Sequence, residues 1–291
     1  MSAKERFKAA GWSFVFLVGG YGLALALLLL AGRILPRPAP GSLSEAAVEA
    51  FALLLSYGAL TWLIGFRVLK LSRAEFGLPV QGIHGLSRLR RLGWLQGFCW
   101  GLMVGVVIAV LAMVLAVPLG HAAWRNDGGT LPQWLGRVTL TGLVLLPAAL
   151  SEELAFRGTP LLAVGKQFGR VPAILVLALL FGVAHLDNDA ATLLALGNIA
   201  LAGVLLGVAF FTSGGLLTST GLHFGWNLTL AGLAAPVSGM AIPMPWLDYS
   251  AGGPGWLTGG AFGPEGGVLA SLCILSGVFL AARRRRKEST A

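Results

Sequence analysis

A succession of long apolar segments is the feature that most restricts how this chain can fold. About eight segments of roughly 20 residues contain very few charged side chains, and each is long enough to cross a bilayer as a helix. Only 11% of the 291 residues are charged, whereas a soluble domain carries about 25%. The sequence therefore predicts an all-α, polytopic membrane protein with about eight transmembrane helices. We expect residues 1–291 to form one membrane-embedded domain.

The predicted spans end at charged, proline-rich or glycine-rich segments. A basic connector at residues 67–91 follows the second span, and its interleaved apolar side chains predict that it lies along the lipid headgroups. The segment from Gly120 to Gln133 is polar and predicts a turn-rich loop after the third span. A long loop rich in glycine and proline precedes the last span. The predicted spans cover approximately residues 12–30, 46–68, 94–117, 138–166, 171–186, 191–211, 216–234 and 266–282.

Basic residues are distributed unevenly between the two sides that eight spans define. Sixteen lie on the side of the termini, four lie opposite, and Arg157 lies within a span. Because positively charged loops are retained in the cytoplasm, both termini are predicted to be cytoplasmic. The protein itself is predicted to lie in the cell (inner) membrane. Residues 283–291 are then a basic cytoplasmic tail. The net charge of +9 is explained by topology and contact with lipids, and nucleic acid is not an expected partner.

The fourth span contains two adjacent carboxylates and an arginine. Ionised groups are costly inside a membrane, so they usually face a bundle interior and carry function. Glu153 and Arg157 are four residues apart, which predicts an ion pair on one helix face. Glu152 lies about 100° around the helix and lacks a local partner. It is either a base that accepts a proton or a buried acid that bonds to a backbone group.

Other polar residues in the spans are predicted to meet Glu152 at one depth. If spans four and five turn back near residue 168, Glu152 and His185 each lie about 20 Å from the turn. His223 and Asn227 lie about 10 and 17 Å along span seven by the same helical rise. A lone histidine in a span is often a packed hydrogen-bonding residue. The convergence of four polar side chains instead predicts a buried site between spans four, five and seven.

Three motifs in these spans resemble those of the CAAX prenyl endopeptidase and bacteriocin-processing family, also called Abi. The ordered set is more specific than any one motif, and it departs from the family pattern at no motif position. The resemblance covers residues 138–232. The motifs are Glu152-Glu153-x-x-x-Arg157, Phe181-x-x-x-His185 and His223-x-x-x-Asn227.

The resemblance implies an intramembrane endopeptidase whose site is reached from the cytoplasm. Glu152 would activate water with help from His185, and His223 and Asn227 would bind the developing oxyanion. Glu153, Arg157 and Phe181 would support the site. The substrate would be a peptide or protein, and prenylated proteins, peptide precursors and the C-terminal tails of surface proteins stay open.

A metal ion is the main mechanistic alternative, since members of this family are often labelled metalloproteases. Glu152, His185 and His223 could hold Zn²⁺ with water in the fourth position. The sequence contains no His-Glu-x-x-His, and a metal would compete with Glu152 for its role as base. We therefore expect catalysis without a cofactor, with zinc as the alternative.

Two functions of other classes use the same residues. One is a non-catalytic immunity or scaffold member of the family, which would have no need to keep Glu152. The other is a proton- or metal-coupled transporter, because intramembrane carboxylates and histidines also form proton and ion pathways.

Overall fold

The computed structural model describes residues 3–34, 36–78 and 93–288, and most of these residues are helical. Helices α2 and α4 each continue into a π-helical segment, at Thr61–Val68 and Leu154–Gly158. Two short 3₁₀ turns, Gly260–Phe262 and Pro264–Gly266, precede the last helix. The helices are α1 Ala3–Ile34, α2 Leu43–Leu60, α3 Gly93–Gly120, α4 Leu131–Glu153, α5 Thr159–Phe168, α6 Arg170–Val183, α7 Leu193–Ser213, α8 Leu216–Gly232, α9 Gly255–Thr258 and α10 Val268–Glu288.

The length and hydropathy of these helices confirm an all-α polytopic membrane protein. Among the described residues, five helices are long and apolar enough to cross a membrane: Glu5–Ile34, Leu43–Val68, Gly93–Gly120, Leu131–Phe168 and Leu193–Thr212. Two shorter apolar helices, Arg170–Val183 and Val268–Arg283, accompany them. Helix α8 has 17 residues. The count of eight spans and the cytoplasmic position of both termini stay predictions.

Closely spaced glycines allow α3 and α8 to pack backbone against backbone. A Cβ atom on Gly101 or Gly105 would collide with the carbonyl oxygens of Thr218 or Leu222 on α8. In the reverse direction, a Cβ on Gly221 would collide with the backbone of α3. Small residues permit this approach between membrane helices, where van der Waals packing replaces the hydrophobic effect as the driving force. The packing fixes α8, which carries two of the motif residues, against α3.

A two-stranded antiparallel sheet lies at the opposite end of α3 from the connector. Strand β1, Ala122–Arg125, pairs with β2, Asp248–Ala251, so part of the predicted turn-rich loop is extended. The Trp124 Nε1–H donates to Leu233 O at 2.8 Å, and the Trp134 Nε1–H donates to Gly232 O at 2.8 Å. These bonds satisfy carbonyl groups that the last turn of α8 leaves without helical partners. The sheet region therefore holds the end of the helix that bears the site.

The connector and the tail are described only in part. Phe76 is fully buried and packs edge-on against Phe66, so this part of the connector belongs to the core. The remaining connector, residues 79–92, lies outside the described residues, as do residues 289–291 of the tail. The predicted position of the connector along the headgroups therefore stays a prediction.

Candidate active site

The helix that carries the two glutamates changes its pitch directly after them. Helix α4 ends at Glu153, and Leu154–Gly158 form a π-helical turn before α5 begins at Thr159. Pro160 has no N–H to donate to the carbonyl of Phe156, so the regular hydrogen-bond ladder is interrupted there. Such π-helical turns within α-helices occur frequently at functional sites.

Glu153 and Arg157 form the ion pair that their spacing predicts. Arg157 Nη1 donates to Glu153 Oε1 at 2.9 Å, and the two side chains are 2% and 0% exposed. The guanidinium also lies 4.2 Å from the ring centroid of Phe181 on α6, a cation–π contact. Arg157 thus joins the first motif to the second.

His223 is oriented by the same carboxylate. Its Nδ1 lies 3.0 Å from Glu153 Oε1. Because an ionised carboxylate can only accept, this contact assigns the proton to Nδ1. The other ring nitrogen, Nε2, then faces Glu152, with 3.8 Å between Nε2 and Oε2. Glu153 therefore holds both Arg157 and His223.

His185, like His223, directs its Nε2 atom toward Glu152. Helix α6 ends at Val183, earlier than predicted, so His185 lies in the turn that follows. Its Nδ1 donates to Phe181 O at 2.7 Å, because a carbonyl oxygen can only accept. Its Nε2 lies 4.0 Å from Glu152 Oε2. The ring also packs edge-on against Phe181, with 4.7 Å between centroids.

Glu152 is the most accessible member of this group. Its side chain is 35% exposed, against 15% for His185 and 10% for His223. Its Oε2 atom is buried and has no hydrogen-bond partner among the described residues. A water placed about 2.8 Å from this oxygen and from an imidazole nitrogen would bridge either separation. The arrangement can therefore hold and deprotonate a water molecule.

Asn227 joins the site through a cavity. It lies one helical turn after His223 on α8, and both line a cavity of about 40 Å³ together with His185 and Phe181. A cavity needs only about 10–15 Å³ to hold one water molecule. The structure thus brings together all four polar residues that the sequence placed at one depth.

A further buried carboxylate, Glu265, lines the same cavity and was missed by the sequence analysis. Its Oε1 accepts from Trp226 Nε1 at 3.0 Å, and its Oε2 accepts from the backbone N–H and the hydroxyl of Ser238. Burial raises the pKa of Glu265, and the donors on Ser238 and Trp226 oppose that effect. Its one sequence signal is an acidic residue isolated among glycines at the edge of the last apolar segment.

Glu152 lies farther from each imidazole than neighbouring ligands of one zinc ion lie from each other. No group of three or more His, Cys, Asp or Glu side chains in the described part of the chain could hold one. Two ligands of a tetrahedral Zn²⁺ lie about 3.3 Å apart, given bonds of about 2.0–2.1 Å. The separations from Glu152 Oε2 to the two imidazoles are longer, at 3.8 and 4.0 Å. Catalysis without a metal stays a prediction, with zinc as the alternative.

The fold and the site define a class: an integral membrane protein with a carboxylate facing two imidazoles inside a helical bundle. Residues 132–229 match the family model described as type II CAAX prenyl endopeptidase Rce1-like. The match extends from α4 into α8 and confirms the family resemblance that the three motifs indicate. It supports a function of the CAAX-type intramembrane protease kind.

The other comparisons add one partial similarity. The chain is 34% identical over 116 residues to a protein of Pelotomaculum thermopropionicum named putative manganese efflux pump MntP. The aligned part covers 38% of this chain and 63% of that relative's length. No solved structure matches the chain.

Proposed function

We propose that this protein is an intramembrane endopeptidase in which Glu152 activates a water molecule for attack on a peptide bond. The position of Glu152 Oε2 supports this most directly, since it faces His223 Nε2 at 3.8 Å and His185 Nε2 at 4.0 Å. The match to the Rce1-like family supports the same kind of reaction. Substrate identity, membrane orientation and cytoplasmic access belong to the proposal.

The first step forms the tetrahedral intermediate. Glu152 accepts a proton from the water, whose oxygen bonds to the substrate carbonyl carbon. His185 donates its Nδ1–H to Phe181 O, so its Nε2 carries a lone pair that can accept the water's second hydrogen. Glu152 and His185 together then orient the nucleophile. General-base assistance of this kind typically contributes about 10²–10⁴ in rate.

The negative charge that develops on the substrate oxygen requires donors. Asn227 offers its amide N–H groups. His223 donates from Nε2 only as an imidazolium, because Glu153 already accepts its Nδ1–H. Before Glu152 accepts the water's proton, that imidazolium has a carboxylate beside each ring nitrogen, Glu153 at 3.0 Å and Glu152 at 3.8 Å; after the proton transfer, Glu153 alone balances its charge. When the intermediate collapses, the C–N bond breaks and the proton on Glu152 passes to the leaving amine.

Cleavage can be tested with the purified full chain in lipid vesicles that contain a membrane-anchored peptide library with randomised residues. Mass spectrometry of the products would show whether a defined peptide bond is hydrolysed. Expected substrates include prenylated proteins and C-terminal tails, which the same vesicles can carry. Release of no product from any of them would contradict the proposal.

Exhaustive chelation should leave the cleavage rate unchanged, because the proposed mechanism uses Glu152 as base without a metal. The measurement compares cleavage before and after chelation, with the metal content of the protein determined in parallel. Stoichiometric zinc whose removal abolishes cleavage and whose return restores it would instead support a site formed by Glu152, His185 and His223.

Transport of a divalent cation is a second candidate, favoured by the similarity to the putative manganese efflux pump. Vesicles that contain the purified chain can be tested for movement of Mn²⁺ with an internal fluorescent indicator. Manganese movement that is lost in Glu152→Gln, without any peptide cleavage, would favour this candidate over the protease.

A further inference from the structure

The cavity that the two histidines line has an apolar body and a polar side. Ile108 on α3, Leu205 and Leu206 on α7, and Ile274 on α10 enclose the body, and all four side chains are at most 3% exposed. The polar side is formed by His185, His223 and Asn227, together with Asn198, Ser238 and Glu265. A peptide whose carbonyl group is held by His223 and Asn227 therefore has the apolar part of this recess beside the reacting bond.

The volume of the recess limits what can enter it. It measures about 40 Å³. An apolar cavity of about 150 Å³ accommodates benzene, which has six carbon atoms. In proportion, this recess accommodates one or two heavy atoms. Alanine and serine side chains are of that size, whereas leucine and phenylalanine side chains are considerably larger.

Hydrogen bonds within the protein engage the remaining polar residues of the recess lining. Glu265 accepts from Trp226 and from Ser238, and Asn198 Nδ2 donates to the backbone oxygens of Glu265 at 2.7 Å and Gly267 at 2.9 Å. These polar groups are thus already hydrogen-bonded within the protein. Because well-packed interiors resist enlargement, the recess discriminates by size rather than by charge.

We propose that this recess is a substrate subsite that takes a small side chain, of the alanine or serine class, from a residue next to the scissile bond. The proposal rests on the proposed peptidase function and names part of its specificity. Two substrates whose side chains differ by one methylene group in such a pocket typically differ by about 10–200-fold in kcat/KM.

The peptide library described above tests the subsite directly. When the products are aligned at the hydrolysed bond, one of the two flanking positions should be enriched in alanine and serine. Matched peptides that differ only there should show leucine cleaved at least about 10-fold more slowly than alanine. Cleavage without a size preference at either position would overturn the subsite and leave the peptidase intact. Absence of all cleavage would overturn the peptidase, and the subsite with it.

Enlarging the recess should change the preference. Leu206→Ala removes part of its wall. The ratio of kcat/KM for peptides with leucine at the selective position to kcat/KM for those with alanine should therefore rise by about 10-fold or more. Leu230→Ala is the matched control, because Leu230 on α8 is fully buried and does not line the recess. The control should keep the wild-type preference. An equal change of preference in both variants would contradict the subsite.

A milder pair of changes guards against loss of folding in Leu206→Ala. Ile274→Val enlarges the recess by one methyl group, and Ala202→Val fills it with two added carbon atoms. The first variant should lower the ratio of the cleavage rate of alanine peptides to that of leucine peptides. The second should slow cleavage of alanine peptides relative to glycine peptides. Unchanged ratios in both folded variants would overturn the proposal.

Discussion

Replacing Glu152 with glutamine should reduce peptide cleavage by about 10²–10⁴-fold, to the background of the assay, while the protein still folds and inserts. Glutamine keeps the size of the side chain but cannot take a proton from water. Glu152 is also the least buried member of the site, so the change removes no buried ion pair. The measurement is kcat/KM on a library-derived peptide, with insertion and thermal stability determined for the same preparation.

Two comparisons make that result specific. Glu49→Gln removes an exposed carboxylate on α2 and should leave the cleavage rate unchanged. Asn227→Ala should lower kcat/KM by about 10²–10³-fold yet retain measurable cleavage, because one oxyanion donor is removed and the base remains. Full cleavage by Glu152→Gln would refute the assignment of the base. If the variant stops cleaving but keeps the cellular function intact, the scaffold alternative is favoured.

Local spacing was enough to predict several relations within the site. The separation of four residues predicted the Glu153–Arg157 pair, which the structure shows at 2.9 Å. Counting residues from a turn near residue 168 predicted that Glu152 lies opposite His185, and Glu152 Oε2 lies 4.0 Å from His185 Nε2. Both relations follow from short-range helical spacing and a tight turn, and they hold although Leu154–Gly158 are π-helical and His185 lies just beyond the end of its helix.

Relations that depend on how distant helices pack could not be predicted in this way. The bond from His223 to Glu153 joins residues 70 positions apart, and it depends on how α8 lies beside the end of α4. Glu265 lies beyond a long irregular loop, so no periodicity related it to the cavity. The two-stranded sheet likewise pairs segments separated by more than 100 residues.

Replacing Arg157 with alanine should lower the free energy of unfolding by about 3–5 kcal/mol and abolish cleavage. The reason is that a fully buried carboxylate, Glu153, would lose its cation. The variant also loses the cation–π contact with Phe181, whose ring packs against His185. Thermal unfolding in detergent, measured beside the cleavage rate, tests both effects. Lys166→Ala is the control, since its bridge to Glu75 is partly exposed and should contribute at most about 1 kcal/mol.

Removing both charges distinguishes stability from positioning. In the double variant Glu153→Leu with Arg157→Met, no buried charge is left unpaired, so much of the lost stability should return. Cleavage should not return, because His223 would no longer have the carboxylate that accepts its Nδ1–H. A stable double variant that cleaves at the wild-type rate would show that Glu153 does not orient His223. An Arg157→Ala variant as stable as the wild type would contradict the buried ion pair itself.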